Sequence, residues 1–129
     1  MTGKSRSILG LLMLSAFLLA ACGPADPLDG TTWRLDSYGK AISLDEWNFT
    51  ATFKEGEISG NALCNFYAAT YEVRGNRITF DYLMITEEEC TRQESDIIDY
   101  FYEAERFELE DDQLRIYRAD GDALIFVPQ

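Results

Sequence analysis

Three cysteines and no histidine narrow the side-chain chemistry open to this 129-residue chain. A thiol can be alkylated, oxidised to a disulfide or enlisted as a metal ligand, and its surroundings and compartment decide which. Cys22 stands directly after the small residues Ala20 and Ala21, at the end of an apolar run. Cys64 and Cys90 lie deeper in the chain and make an even pair, as expected of a disulfide in an oxidising compartment. Closing that loop would stabilise a fold by roughly 3.5 kcal/mol in the chain-entropy treatment. The alternatives for the pair are free reactive thiols or a metal site. Zinc would need carboxylates to complete its ligand set, and the sequence shows no compact cluster of them, so no metal is expected.

The remaining polar candidates are weaker. Glu87-Glu88-Glu89 offers oxygen ligands, but hard cations want ligands converging from several directions, and such a run on an irregular loop reads as a solvated face. Asn65 could contact a ligand, although an asparagine in this setting more simply caps a turn with its amide. Asp111-Asp112 reads as a turn. The commonest general base is missing, there is no glycine-rich phosphate loop or nucleophile motif, and nothing fixes two acids at a working separation. The chain is therefore expected to be no enzyme and to need no cofactor.

The opening segment has the layout of an export signal. Lys4 and Arg6 supply a positive start, residues 8–19 are apolar apart from Gly10 and Ser15, and Ala20-Ala21 is small enough for a peptidase cleft. The run is short for a membrane-spanning helix. Leu19-Ala20-Ala21-Cys22 resembles the bacterial lipobox, which implies cleavage between Ala21 and Cys22, a diacylglycerol on the Cys22 thiol and a fatty acid, such as palmitate, on the new amino group. Each buried acyl methylene contributes about 0.8 kcal/mol, so two or three chains hold a protein stably on a bilayer. Residues 1–21 are thus read as signal peptide, 22–30 as a lipidated tether with Pro24 and Pro27, and 31–129 as one domain. By resemblance to enterobacterial lipoproteins, in which an aspartate after the lipidated cysteine implies inner-membrane retention, Gly23 favours the outer membrane, facing the periplasm, if the organism is Gram-negative.

Charge limits the partners. The chain carries a net charge of −12, and loss of Lys4 and Arg6 with the signal takes it to −14. Phosphate neutralisation by so acidic a domain is excluded, so no nucleic-acid partner is expected. Anionic lipid would repel it without the anchor.

The elements follow from periodicity. Alternation in 32–38, 48–53, 58–62 and 68–73 reads as strands, as do 78–80, a brief pairing at 106–109, 113–118 and 123–127. Residues 40–47 form an unclear connection, and 81–90 read as loop or irregular strand. Lys54-Glu55-Gly56-Glu57 and Arg74-Gly75-Asn76-Arg77 read as hairpin turns. Asp120-Gly121 suggests a type I′ turn with positive φ at both positions. The apolar run 123–127 suits a strand buried on both faces. Between strands, Ile97, Ile98, Phe101, Tyr102 and Ala104 fall at helical spacing, and Thr91 with Glu94 fits a capping box, predicting an amphipathic helix over 92–105. About seven short strands and one helix suggest a mainly β (α+β) fold, a small antiparallel barrel with the helix packed on or into it. Trp33, Phe49, Phe53, Tyr71, Phe80, Phe101 and Phe126 are the candidate aromatic core.

The segment Gly60-Asn61-Ala62-Leu63-Cys64-Asn65-Phe66-Tyr67, with Thr86 and Cys90 further on, resembles the META-domain family, the family of the bacterial heat-shock protein HslJ. Leu28-Asp29-Gly30-Thr31-Thr32-Trp33 looks like the family's first strand, and Phe53-Lys54-Glu55-Gly56-Glu57-Ile58 like its first hairpin. Tyr71 and Gly75 after Cys64-Asn65 match its central signature, and the closing strands match at 112–117 and 124–126. The likeness spans about residues 28–127. Leu63 departs from it, standing where many members have glycine before the Cys-Asn pair. The resemblance implies a compact barrel-like domain with an added helix and an envelope or stress-related role. It also implies a structural likeness to pilot lipoproteins. The expected function is a lipid-anchored interaction or assembly module whose partner is another envelope protein. A barrel carrying an apolar or acyl ligand is the alternative suggested by the 13% aromatic content. A protease inhibitor using the stretch 82–89 is a third.

Overall fold

The computed structural model describes residues 3, 25–39, 42–43 and 48–129. Ala21 and Cys22, the expected cleavage and lipidation positions, lie outside the described residues. Within them the chain runs β1 (Thr31–Tyr38), β2 (Ile42–Ser43), β3 (Thr50–Lys54), β4 (Glu57–Asn61), β5 (Phe66–Arg74), β6 (Arg77–Ile85), α1 (Arg92–Tyr102), β7 (Ala104–Glu110), β8 (Gln113–Arg118) and β9 (Ala123–Pro128). All pairings are antiparallel, in the order β1-β3-β4-β5-β6-β7-β8-β9, and β1 also pairs with β9, closing an eight-stranded barrel. The short β2 pairs with the end of β1.

The mainly β barrel with one helix is the architecture that alternation and the family resemblance predict. Period-two burial drives it: Tyr67, Ala69 and Tyr71 of β5 point inward while Phe66, Ala68, Thr70 and Glu72 point out. Burying one face of each strand and closing the sheet removes most free edges. The closure has one gap. β6 is paired with β5 along its length, but it meets β7 only at Arg77–Arg106, next to a bond from the Phe107 amide to the Asn76 carbonyl at 2.8 Å. Helix α1 packs at this gap. Phe101 inserts into the barrel, with ring centroids 5.0 Å from Phe80, 5.5 Å from Tyr67 and 6.0 Å from Phe49.

Several local expectations change. The helix ends at Tyr102, not at residue 105: the Glu103 amide bonds the Asp99 carbonyl at 3.1 Å, and Ala104 opens β7 opposite Arg118. Ala104 still packs on the core, so its helical spacing was coincident with a strand position. β6 runs to Ile85, five residues past the expected end, because its pairing with β5 resumes after a bulge opposite Ala69. Asp120-Gly121 is no type I′ turn, since among these two only Gly121 has positive φ. The carboxylate of Asp120 accepts from the Asp122 amide and the loop widens to let Arg118 bond the Asp122 carbonyl. Turns with positive φ at both central positions occur instead at Glu55-Gly56 and Asp111-Asp112. β9 alternates too: Leu124 and Phe126 are buried, Ile125 and Val127 only half-buried. Leu28, placed by the sequence in the connecting segment, is fully buried, and Asp26 to Gly30 form a turn against β3 in which the Gly30 amide bonds the Phe53 carbonyl.

Candidate functional site

The residues of the family signature converge where β4, β5, the end of β6 and the start of α1 meet. A tight turn brings the Ala62 amide to the Asn65 carbonyl at 2.7 Å. Cys64 at that turn is joined to Cys90 by a disulfide, with Cα atoms 5.7 Å apart. The bridge ties the β4–β5 turn to the segment leading into the helix. Leu63, the departure from the family pattern, is half-buried and packs against the core.

Asn65 is the centre of the network and is 4% exposed. Its Oδ1 accepts from the Thr86 hydroxyl and the Glu88 amide, each at 2.8 Å. Its Nδ2 donates to the Glu88 carbonyl at 3.1 Å and to Glu94 Oε1 at 2.6 Å. The amide therefore uses its whole donor and acceptor capacity inside the protein. Thr86 in turn accepts from the Phe66 amide at 3.0 Å.

Glu94 completes the network, and this overturns the capping-box expectation. Thr91 is the N-cap residue but makes no side-chain capping bond. The Glu94 carboxylate turns instead to the β4–β5 turn, where Oε2 accepts from the Cys64 amide at 2.7 Å and the Asn65 amide at 3.2 Å. A buried carboxylate needs such donors to offset its desolvation, and three converging N–H groups provide more than one helix-end amide would. Cys64, Cys90 and Glu94 place their sulfur and oxygen atoms within 4.8 Å of one another. With the sulfurs joined, neither is a thiolate, and the carboxylate oxygens already face N–H donors, so the trio in this state is a latch and not a metal centre.

Two further signature positions brace the barrel. At Gly60 a Cβ would overlap the Thr50 backbone, lying 2.7 Å from its carbonyl carbon. The close approach lets the Thr50 hydroxyl accept from the Asn61 amide at 3.0 Å and the Thr50 carbonyl accept from the Tyr67 hydroxyl at 2.6 Å. Burial raises the Tyr67 phenol well above its ordinary pKa. Tyr71 donates its hydroxyl to Asp26, fastening the domain's first turn to β5. Its pKa is also raised, first by burial and then by the bond to the Asp26 carboxylate. At the far end of the helix, Arg118 lies 4.0 Å over the Tyr100 ring and pairs with Glu103, Asp120 and Asp122, clamping the β8–β9 hairpin to α1.

Sequence reading named Gly60, Asn61, Cys64, Asn65, Tyr71, Thr86 and Cys90. The structure gathers Cys64, Asn65, Thr86 and Cys90 into one network, sets Gly60 and Asn61 against Thr50, and leaves Tyr71 at a separate brace. Glu94, Thr50 and Asp26 were missed as site residues. Their partners lie between 11 and 45 residues away in sequence, so no local spacing announces them. Glu87-Glu88-Glu89 is exposed, as a solvated face should be, although the Glu88 backbone is held by Asn65.

Among the described residues the fold is a closed antiparallel barrel with helix α1 packed against it and a disulfide beside a buried Asn–Glu pair. A family model for the META domain matches residues 26–129. The chain belongs to the META domain family. No curated protein sequence matches it. Among solved structures it is similar to a protein from Burkholderia xenovorans determined by NMR (TM-score 0.67, 20% identity, covering 79% of this chain and 83% of that one). It is also similar to a DUF4847 family protein from Bacteroides vulgatus ATCC 8482, determined by crystallography (TM-score 0.63, 16% identity, covering 81% and 96%). At these identities the likeness is one of fold.

Proposed function

We propose that this chain is a lipid-anchored protein of the cell envelope, held through Cys22, whose META domain acts through its surface as a non-enzymatic interaction or assembly module with a stress-related role. The observation that carries the reading is the full internal use of the signature groups. Asn65, Thr86, Glu94 and the joined cysteines spend their bonding capacity on one another, and Phe49, Tyr67, Phe80 and Phe101 pack together inside the barrel. What remains to meet another molecule is the exterior, and a lipid anchor would present that exterior to neighbours in the envelope. The placement at the outer membrane rests on Gly23 after the lipidated position. The test is photo-cross-linking of the lipidated protein in intact cells from several outward positions. Reproducible adducts with one envelope protein are expected, and adducts that never exceed those of an unrelated acidic lipoprotein would reject the reading.

A second reading, binding of an apolar or acyl ligand, has one observation in its favour. An open cleft of about 400 Å³ on the outer face is lined by Phe66, Ala68, Met84 and Ile85. Native mass spectrometry of the protein purified from its envelope should show no non-covalently bound acyl species beyond the covalent lipid on Cys22 if the interaction reading is right.

A further inference from the structure

We infer that the outer edge of β6, residues 80–85, is a docking edge for an extended polypeptide segment in which basic side chains alternate with apolar ones. The inference rests on the interaction reading above and names the surface and the class of partner.

The backbone supplies the first part of the case. β6 is nine residues long and paired with β5 throughout, apart from the bulge, yet β7 leaves it after Arg77. From Phe80 to Ile85, among the described residues, the groups that point away from β5 have no backbone partner. An unpaired strand edge is a template for one more strand. It is bordered by α1, and where the two meet a cleft of about 250 Å³ is lined by Ile85, Ser95, Ile98 and Asp99, among others. The cleft is large enough for a few side chains of a bound segment.

The side chains supply the second part. Phe66, Met84 and Tyr82 are 67%, 71% and 86% exposed, and they are the three most exposed large apolar side chains among the described residues. All three belong to β5 and β6. A strand added to β6 would lie beside Met84 and could cover it. Tyr82 sits in the bulge with φ of 53°, a conformation that a bulky residue rarely adopts. The bulge interrupts the ladder, so a partner can add only a short segment, and indiscriminate edge pairing is restrained.

Charge selects the occupant. Asp81, Glu87, Glu88, Glu89 and Asp99 are all exposed around this edge, and no Lys or Arg occurs from residue 78 to residue 91. A second copy of this chain, net charge −12, would bring like charge to the same place. A basic segment gains by the same field.

The test uses a defined probe, the peptide acetyl-Lys-Val-Lys-Val-Lys-Val-Lys-amide, titrated into the ¹⁵N-labelled, disulfide-intact full chain in detergent micelles. Slowed amide exchange within residues 80–85 is expected. Affinity should fall about tenfold in Asp99→Lys and again in Asp81→Lys, which leave the core untouched. A Met84→Ser variant should also weaken binding. A peptide N-methylated at every internal residue, with neither edge able to donate, should not bind. The proposal is overturned by absence of protection at millimolar peptide, by equal protection from the corresponding Glu-Val peptide, or by anionic vesicles perturbing Phe66 and Met84 while the peptide leaves residues 80–85 unprotected. Envelope cross-links obtained from Thr32 but not from Met84, together with no peptide protection, would remove this edge and leave the interaction module standing.

Discussion

Replacing Glu94 by glutamine separates the observed network from the capping box that the sequence suggests. The carboxylate accepts three N–H groups, from the Cys64 amide, the Asn65 amide and Asn65 Nδ2. A glutamine side chain must point one NH₂ at that set of donors. Facing Nδ2 it loses the 2.6 Å bond and leaves one buried donor unpaired; facing the backbone it loses two acceptor positions. Asn65 cannot answer by flipping, because its Oδ1 already accepts from Thr86 and Glu88. One unpaired buried donor costs about 1–3 kcal/mol, and the surviving bonds lose their charge assistance. The expected destabilisation is therefore about 2–4 kcal/mol, out of the roughly 5–15 kcal/mol typical of a domain. Thr91→Ala, by contrast, should change stability by less than about 0.5 kcal/mol, because Thr91 makes no side-chain cap bond. Urea denaturation followed by tryptophan fluorescence measures both. A Glu94→Gln variant within 0.5 kcal/mol of the parent, beside a Thr91→Ala variant losing about 1 kcal/mol or more, would show that the capping box governs and the network does not.

Other consequences are as direct. Reduction of Cys64–Cys90, or the double serine variant, should lower unfolding free energy by about 3.5 kcal/mol, read from urea unfolding with midpoint and slope both fitted because the unlinked unfolded chain exposes more surface. Gly60→Ala should destabilise by about 1–3 kcal/mol or more because the new methyl meets the Thr50 backbone, whereas Gly75→Asn, at a turn with open space around it, should cost far less in the same assay. Alkaline pH should weaken the fold. The Tyr67 and Tyr71 phenols are held above their ordinary pKa of 10.0, so the stability they confer is intact below pH 10 and declines as the unfolded phenols ionise, by up to about 1.4 kcal/mol per pH unit for each. Tyr67→Phe should flatten that decline above pH 10, and an unchanged slope would refute the assignment.

Much of the barrel was legible because its strands alternate. Residues 113–118 were read with their observed bounds, and Trp33, Phe49, Phe53, Tyr71, Phe80, Phe101 and Phe126 are all buried. The far half of β6 was not legible. Asp81 and Tyr82 are exposed in succession at a bulge, which breaks the period-two signal. Ala104 misled because a residue one turn past Tyr100 suits helix and barrel core alike. The site was half visible. The family signature pointed to Cys64, Asn65, Thr86 and Cys90, but Glu94 carried an equally good local reading as a cap partner. Only the fold, by bringing residues 64 and 65 to the helix start, decides between a local bond and a distant one. The free edge of β6 is likewise a property of topology, since it arises from where β7 leaves and not from any residue in β6.

Attachment to the bilayer through Cys22 is the claim on which the proposed role depends, and metabolic labelling with an alkyne-bearing palmitate reads it most directly. The parent chain should take up label and sediment with membranes, while a Cys22→Ser variant should take up none and be released by washing. A parent chain that stays unlabelled, or a Cys22→Ser variant that remains membrane-bound, would contradict it.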